Sequence, residues 1–187
     1  LIYKDELPQI ISSKTDGYNN YQNIILNKNS LELIKYRNHK FLGAVNFYES
    51  DVEIQNCLFS NNSSEDALNI ISSKFVIKNS DFNYNASDSI DIDFSEGFME
   101  NVKITNSGND GIDLSGSTIT LKNIETSFIG DKSISVGENA IVKIENIDIK
   151  ESFIGIANKD GSKTIVLNSK INNTKIPLAS YKKKQSY

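Results

Sequence analysis

Apolar residues return along this chain at two positions in every 22 or 23 residues. The first apolar series consists of Ile54, Ile77, Met99, Leu121, Ile144 and Val166. The second series keeps a spacing of 22 residues and consists of Leu68, Ile90, Ile112, Ile134, Ile156 and Leu178. Polar and apolar residues alternate around both series, and this alternation is typical of short strands. Each repeat is therefore predicted to hold at least two strands joined by turns.

An asparagine keeps the same period two residues after each member of the first series. These residues are Asn56, Asn79, Asn101, Asn123, Asn146 and Asn168. Helical repeats would need apolar residues three or four positions apart over a longer stretch, and leucine-rich repeats would need a leucine skeleton. Neither pattern is present. The period therefore predicts an all-β fold, a right-handed single-stranded parallel β-helix of about six coils with 22 or 23 residues each.

The recurring asparagines are predicted to form a hydrogen-bonded ladder. Equivalent residues of neighbouring coils stack about 4.8 Å apart, and stacked amides can hydrogen-bond at that spacing. We expect these side chains to point inward at a buried turn, where their role is structural. The single cysteine, Cys57, follows the ladder position and is expected to pack inward as a small hydrophobe.

The extent of the repeats predicts three segments. Residues 43–180 form the β-helix, residues 1–42 form an N-terminal cap or partial coil, and residues 181–187 form a basic, solvated tail. A parallel stack has two open ends that pair with other chains unless they are covered. Because no cap comparable to the first segment follows Leu178, we expect the chain to be part of a larger polypeptide.

Charge and composition exclude several classes of function. The formal net charge of the 187 residues is −4, which argues against nucleic acid because phosphate binding depends on clustered Lys and Arg. No apolar run is long enough for a membrane span or a signal peptide. One cysteine cannot form an internal disulfide, so it does not decide the redox compartment.

Candidate chemistry comes from residues that alternate with the second apolar series and face outward. The first outward column contains Asn69, Asp91, Asp113 and Ser135. The second contains Ile71, Asp93, Ser115, Gly137 and Lys159, and a third at the entry to the strand contains Asp66, Asp88, Asp110 and Lys132. One face thus gathers five aspartates on two coils, with Lys132 and Lys159 one or two coils away.

Such a cluster needs compensation for its charge. Two carboxylates about 5 Å apart repel by roughly 3 to 4 kcal/mol at an effective dielectric near 20. A lysine, a raised pKa or a hard cation such as Ca²⁺ would relieve that repulsion. Asp66, Asp88 and Asp110 also fit an ordinary role as turn residues before a strand. Asp91, Asp93 and Asp113 lie on the strands themselves, where aspartate is disfavoured. For these three residues, a functional cluster and a solvated face are both possible interpretations.

Three segments resemble a known group of proteins. They are Glu65-Asp-Ala-Leu-Asn-Ile70, Asn109-Asp-Gly-Ile-Asp-Leu-Ser-Gly116 and Gly130-Asp-Lys-Ser-Ile-Ser-Val-Gly-Glu138. With the asparagine ladder, they look like bacterial right-handed parallel β-helix repeat proteins of the pectate-lyase-like superfamily, over about residues 43–180. That superfamily includes polysaccharide lyases, epimerases, glycoside hydrolases, phage tailspikes and adhesins, so the fold does not assign an activity.

The resemblance to calcium-dependent lyases implies a site on the acidic face. Asp91, Asp93 and Asp113 would bind Ca²⁺, with Asp88 or Asp110 as further ligands. Lys132 or Lys159 would be the base that removes a proton from a uronate. The implied substrate is an acidic polysaccharide, and the implied location is extracellular or at the cell surface. No arginine follows Arg37 to clamp a substrate carboxylate, and the only histidine, His39, is expected to be a surface or cap residue.

Three hypotheses follow for the function. The first is a lyase or epimerase that acts on acidic polysaccharide with a lysine base. The second is a non-catalytic module that binds glycans or calcium with the same face. The third is a structural or adhesive segment of a surface protein, in which the carboxylates would be solvated and apart.

Overall fold

The computed structural model describes residues 2–4, 7–13, 19–22, 25–27, 34–36 and 39–186, with side chains from Phe41 onward. The described residues form strands and turns and contain no helix. The strands are β1 (Ile2–Lys4), β2 (Leu7–Ser13), β3 (Asn19–Gln22), β4 (Ile25–Asn27), β5 (Ile34–Tyr36), β6 (His39–Phe41), β7 (Gly43–Tyr48), β8 (Val52–Gln55), β9 (Leu58–Ser60), β10 (Asp66–Ile71), β11 (Lys74–Asn85), β12 (Asp88–Asp93), β13 (Glu96–Ser107), β14 (Ile112–Ser115), β15 (Thr118–Gly137), β16 (Ile141–Lys159), β17 (Lys163–Asn172) and β18 (Ile176–Tyr181).

Successive coils pair in parallel on three faces. Face 1 consists of β7, β10, β12, β14, the last parts of β15 and β16, and β18. Face 2 consists of β8 and the first parts of β11, β13, β15, β16 and β17. Face 3 consists of β9 and the later parts of those same long strands. This arrangement confirms the predicted parallel β-helix of about six coils.

The chain turns from one face to the next at residues in the left-handed backbone conformation. Corner 1, between faces 1 and 2, contains Glu49, Ser72, Phe94, Gly116, Glu138 and Asp160. Corner 2, between faces 2 and 3, contains Asn56, Asn79, Asn101, Asn123, Asn146 and Asn168. Corner 3, between face 3 and the next face 1, contains Asn61, Tyr84, Asn106, Phe128, Glu151 and Asn173. Asparagine tolerates positive φ better than most residues. The left-handed conformation at corner 2 therefore explains why asparagine recurs there.

The predicted asparagine ladder is present along corner 2. Asn101 Nδ2 donates to Asn79 Oδ1 at 2.9 Å, and Asn123 Nδ2 donates to Asn101 Oδ1 at 2.9 Å. The ladder continues through Asn146 and Asn168 with distances of 3.0 and 3.2 Å.

The predicted burial of these asparagines is wrong, because their side chains are exposed. Ile54 and Cys57 both point inward, with two outward residues, Gln55 and Asn56, between them. The left-handed residue therefore shifts the strand alternation by one position. The buried polar stack is formed instead by serines at the start of face 2, where the Ser73 backbone N–H donates to Ser95 Oγ at 3.1 Å.

The core lies between the three faces and contains both predicted apolar series except their last members. Phe59 and Phe82 stack inside it with ring centroids 4.4 Å apart. Cys57 is buried as predicted. In the last coil, Val166 is only partly buried and Leu178 is 63% exposed, because no described coil covers them.

The first residues of the chain add strands to the stack. β2, β3 and β4 pair in parallel with β7, β8 and β9. β1 pairs with β2, and β5 pairs with β6, in antiparallel fashion. The side chains of residues 1–40, including the predicted surface or cap residue His39, lie outside the described residues.

The basic tail contacts the last coils. Its described residues, 181–186, are exposed. The backbone N–H groups of Lys183 and Lys184 nevertheless donate to Asp160 Oδ1 at 2.6 and 2.7 Å, and the Lys184 ammonium pairs with Glu138. The tail therefore lies against corner 1 instead of extending freely into solvent.

Candidate functional site

Face 1 brings the predicted aspartates together on two adjacent coils. Asp91 on β12 is the register partner of Asp113 on β14. Asp88 and Asp93 lie at the two ends of β12, and Asp110 lies just before β14. Alternation explains this arrangement, since Ile90 and Ile92 fill the core and leave the residues between and after them outside.

Three of these carboxylates converge. One oxygen each from Asp88, Asp110 and Asp113 lies within 4.8 Å of the others. Asp88 and Asp110 are buried, and Asp113 is half-buried. Asp113 Oδ1 is itself inaccessible and has no hydrogen-bond partner. Ser135, the register partner of Asp113 on the next coil, is fully buried, and its Oγ also lacks a partner.

Asp88 and Asp110 also cap backbone groups of the neighbouring coil. The Asp110 backbone N–H donates to Asp88 Oδ1 at 2.8 Å, and the Lys132 backbone N–H donates to Asp110 Oδ1 at 3.0 Å. Asn109 Nδ2 donates to the same Asp88 oxygen at 2.6 Å. Asp88 and Asp110 therefore accept backbone hydrogen bonds at turns, as expected for turn residues. The N–H groups that they cap belong to the adjacent coil and not to their own turn.

Asp91 and Asp93 extend the acidic surface beside the three converging carboxylates. Asn69 Nδ2 donates to Asp91 Oδ2 at 2.8 Å from the coil below. Burial raises the pKa of Asp91 well above its usual range, and the charge of Asp66 adds to the effect. Burial and the charge of Asp113 raise the pKa of Asp93 to about 6.

The crowding of carboxylates raises other acid pKa values as well. Burial and the charge of Asp88 raise the pKa of Asp66, its register partner, to about 8. Burial raises the pKa of Asp88 to about 6, although the hydrogen bond from the Asp110 backbone opposes the shift. Burial raises the pKa of Asp110 against the opposing charge of Lys132. Face 1 therefore holds carboxylates that favour a proton or a counter-ion.

Lys132 is an ion-pair partner of this cluster. Its Nζ lies 3.2 Å from Asp110 Oδ1, and it also pairs with Asp131. Burial by itself would lower the pKa of Lys132, but the hydrogen bonds and charges of the two aspartates raise it above its usual range. The lysine is therefore held in its charged form.

Lys159 reaches the cluster from two coils away. Its side chain passes Gly137, where an added Cβ would lie 3.4 Å from Lys159 Cε. Its Nζ lies 3.8 Å from Asp113 Oδ1, and only 7% of the side chain is exposed. The distance of 3.4 Å to that Cβ is an ordinary van der Waals contact, so the lysine side chain lies directly against position 137 on its way to Asp113.

The structure adds residues that the sequence analysis did not assign to the site. Asp66 is 2% exposed, and its Oδ2 has no hydrogen-bond partner. Its 22-residue spacing from Asp88 was a usable signal, as was the spacing of Asn69 from Asp91. No periodic signal marks Asp131 or the tail residue Lys184, whose charge opposes the rise in the pKa of Asp93.

Comparison with protein families identifies the structural family to which this chain belongs. The family model described as "Right handed beta helix region" matches residues 66–184. The chain therefore belongs to the right-handed β-helix family, which agrees with the handedness predicted from its repeats. Within the residues that the structure describes, no helix has the length and apolar character needed to cross a membrane.

The other comparisons add no functional information. None of the curated proteins with which the chain was compared matches it. One solved structure, a trypsin-treated variant of QnrB1 described as a plasmid-mediated fluoroquinolone resistance protein, is similar over 89% of this chain and 92% of that chain. The identity is 11% and the TM-score is 0.20, so this likeness supports no argument about function.

Proposed function

We propose that this β-helix is a non-catalytic binding module whose face 1 holds a divalent cation. Asp88, Asp110 and Asp113 supply the ligands, and Asp91 and Asp93 supply further oxygens and negative charge beside them. The observation that carries the proposal is the convergence of three carboxylate oxygens, one from each of these residues, within 4.8 Å. Asp113 also has a buried oxygen, Oδ1, without a hydrogen-bond partner.

The donor set favours Ca²⁺. This ion takes six to eight oxygen ligands at about 2.3 to 2.6 Å, and flexible geometry suits carboxylates that come from separate coils. When bound, it would neutralise the cluster and offer its remaining coordination positions to outside oxygens. We therefore propose an acidic polysaccharide as the ligand, because its carboxylates could occupy those remaining positions on the cation. Without the cation, the negative charge of face 1 would repel them.

The two lysines favour binding over elimination. A general base must lose its proton near the working pH. Lys132 is held protonated by Asp110 and Asp131, and Lys159 is engaged with Asp113. Both are better suited to balance the charge of the carboxylates than to abstract a proton. The burial and crowding of the carboxylates support this module over a purely structural segment, in which they would be solvated and apart.

Calorimetric titration with Ca²⁺ and Mg²⁺ tests the cation site. We expect the unmodified protein to bind Ca²⁺ more tightly than Mg²⁺, and Asp88→Asn/Asp113→Asn to lose binding. The variant should stay folded, because asparagine keeps the shape of aspartate and an oxygen that accepts hydrogen bonds. Asp81→Asn, which changes an exposed carboxylate on face 3, is the matched control and should bind normally. Absence of calcium binding by the unmodified protein would refute the proposal.

Binding to polygalacturonate and alginate, with and without Ca²⁺, tests the glycan ligand. We expect calcium-dependent binding and no ultraviolet absorbance from unsaturated uronate products. Appearance of that absorbance, lost in Lys132→Met or Lys159→Met, would favour a lyase instead.

A further inference from the structure

Corner 3 holds two large aromatic residues in a backbone conformation that suits asparagine and glycine. Tyr84 has a φ of 56° and Phe128 a φ of 57°. Bulky residues are rarely found in this left-handed region, because the Cβ approaches the following carbonyl oxygen. The equivalent corner residues Asn61, Asn106 and Asn173 follow the usual preference. The sequence thus departs from the favoured residue type at three of the six positions of this corner, of which two are aromatic and the third is Glu151.

Burial does not account for this departure. Tyr84 is 64% exposed and Phe128 is 58% exposed, so neither ring contributes much to the core. An exposed apolar side chain at a costly backbone position stabilises neither the corner nor the interior. Backbone strain that the fold does not require is most often found where a protein contacts a ligand.

Both rings border one shallow groove along the corner. Asn106 lies between them on the intermediate coil, and Asn61 and Ser63 continue the groove on the coil below. Tyr84 and Phe128 are two coils apart, which corresponds to about 9.6 Å along the stack. The described side chains that line the groove are uncharged, in contrast to the carboxylates of face 1.

The floor beside the rings is flat and lacks large side chains. Ala86, Gly108 and Gly130 stack at equivalent positions and are all exposed. An added Cβ at Gly108 would lie 2.0 Å from the Ala86 carbonyl oxygen, and one at Gly130 would lie 2.1 Å from the Gly108 carbonyl oxygen. Close stacking of the backbone therefore excludes side chains here and leaves an open shelf.

Buried hydrogen bonds hold the groove in place. Asn62 Nδ2 donates to Asn85 Oδ1 at 3.0 Å beneath the shelf, and Asn85 Nδ2 donates to Ser89 Oγ at 2.9 Å. A preformed surface loses little conformational entropy when a ligand binds.

We propose that this groove is a second binding site, independent of the cation site, which takes a neutral oligosaccharide. Sugar rings present apolar C–H surfaces and a rim of hydroxyls, which match exposed aromatic rings next to asparagine and serine side chains. The two aromatic rings would contact sugar units that are separated by one intermediate unit facing Asn106. A peptide is disfavoured, because peptides that add to a sheet need an unpaired strand edge, whereas these coils are already paired on both sides.

Affinity electrophoresis and calorimetry with cellohexaose, xylohexaose, mannohexaose and maltohexaose test this site. The measurements are made in EDTA, so that they do not depend on the cation site of face 1. We expect at least one of these hexaoses to bind, and Tyr84→Asn/Phe128→Asn to bind it at least about tenfold more weakly. The same variant should unfold at a higher temperature, because asparagine is better tolerated at both corners.

Phe94→Asn is the matched control. Phe94 is a third exposed aromatic at a left-handed corner, with a φ of 48°, but it lies at corner 1 outside this groove. It should gain stability in the same way and keep the binding. The proposal is overturned if none of the four hexaoses binds the unmodified protein. It is also overturned if Tyr84→Asn/Phe128→Asn binds as well as the unmodified protein, or if Phe94→Asn loses binding equally.

Discussion

Corner 2 and face 1 are built on the same 22- or 23-residue period, but their columns differ in kind. Corner 2 repeats one neutral residue, and each asparagine from Asn79 to Asn168 hydrogen-bonds the next in the ladder. The column at the entry to face 1 changes residue type from coil to coil and reads Gly43, Asp66, Asp88, Asp110, Lys132, Ile154 and Ile176.

The difference separates what the fold needs from what it tolerates. A stacked amide donates to one neighbour and accepts from the other, so a uniform column satisfies itself. A stacked carboxylate only repels its neighbour until a proton, a lysine or a cation intervenes. The uniform column therefore maintains the coil, and the irregular column is where this chain departs from the requirements of its fold.

Loss of the buried lysine should have the largest effect. Lys132→Met leaves Asp110, whose side chain is 4% exposed, without its cation, and we expect the free energy of unfolding to fall by about 3 kcal/mol at neutral pH. The loss should shrink at pH 5, because Asp110 can then take a proton. Denaturant titration at both pH values measures the effect.

Lys122→Met is the control for that experiment. Lys122 pairs with Glu100 at 2.9 Å beside corner 2, but its side chain is 40% exposed. Exposed ion pairs contribute little, so this variant should be close to the unmodified protein in stability. Equal losses in the two lysine variants would contradict the contrast between the two regions.

A change of pH should have the second largest effect on the free energy of unfolding. Asp66 has a folded pKa of about 8, whereas an unperturbed aspartate has one of about 3.9. The stability that its neutral form contributes is fully present below about pH 4 and is lost as the pH rises through about 8. Asp88 and Asp93, with pKa values of about 6, act in the same direction over a narrower range.

We therefore expect the free energy of unfolding to fall by about 2 kcal/mol or more between pH 5 and pH 8 in the absence of divalent cations. Asp66→Asn should flatten this slope and be more stable than the unmodified protein at pH 8. Chemical denaturation across the pH range provides the measurement. A stability that rises over this interval would show that the carboxylates of face 1 are ionised without cost.

Substitution in the neutral ladder should have the smallest effect. Asn101→Ala removes two ladder hydrogen bonds. It also places alanine, which tolerates positive φ less well than asparagine, at a φ of 55°. We expect the free energy of unfolding to fall by about 1 to 2 kcal/mol. Asn101→Gly removes the same hydrogen bonds without the strain and should cost about 0.5 to 1 kcal/mol. Thermal and denaturant unfolding separate the two contributions. If the glycine variant loses as much as the alanine variant, the hydrogen bonds matter more than the backbone conformation.

Much of the architecture could be predicted because a stacked coil repeats its constraints. The period placed Ile54 and Leu68 in the core, and the same register brought Asp91 beside Asp113. The outward direction of the asparagines could not be predicted from alternation. A left-handed residue such as Asn56 changes the phase of the strand without changing the count of residues.

The pairing within the site was less predictable than its location. Asp131 precedes Lys132 without any periodic signal, and Lys159 crosses a whole coil over Gly137 to reach Asp113. Long flexible side chains choose partners by distance and burial, which depend on the neighbouring coils. The strain at Tyr84 and Phe128 is likewise visible only as a backbone angle.

The amino-acid sequence by itself determined the coil, its register and the set of aspartates that share face 1. Hydrogen bonding between parallel strands forces equivalent residues into columns, so a period in the sequence becomes a spacing in space. The tertiary structure alone decided which polar side chains are buried, which charges are paired and which oxygens are left without a partner. Those properties depend on how far a side chain extends toward the neighbouring coils and on where left-handed residues change the strand alternation. The period of the sequence specifies neither of these two factors.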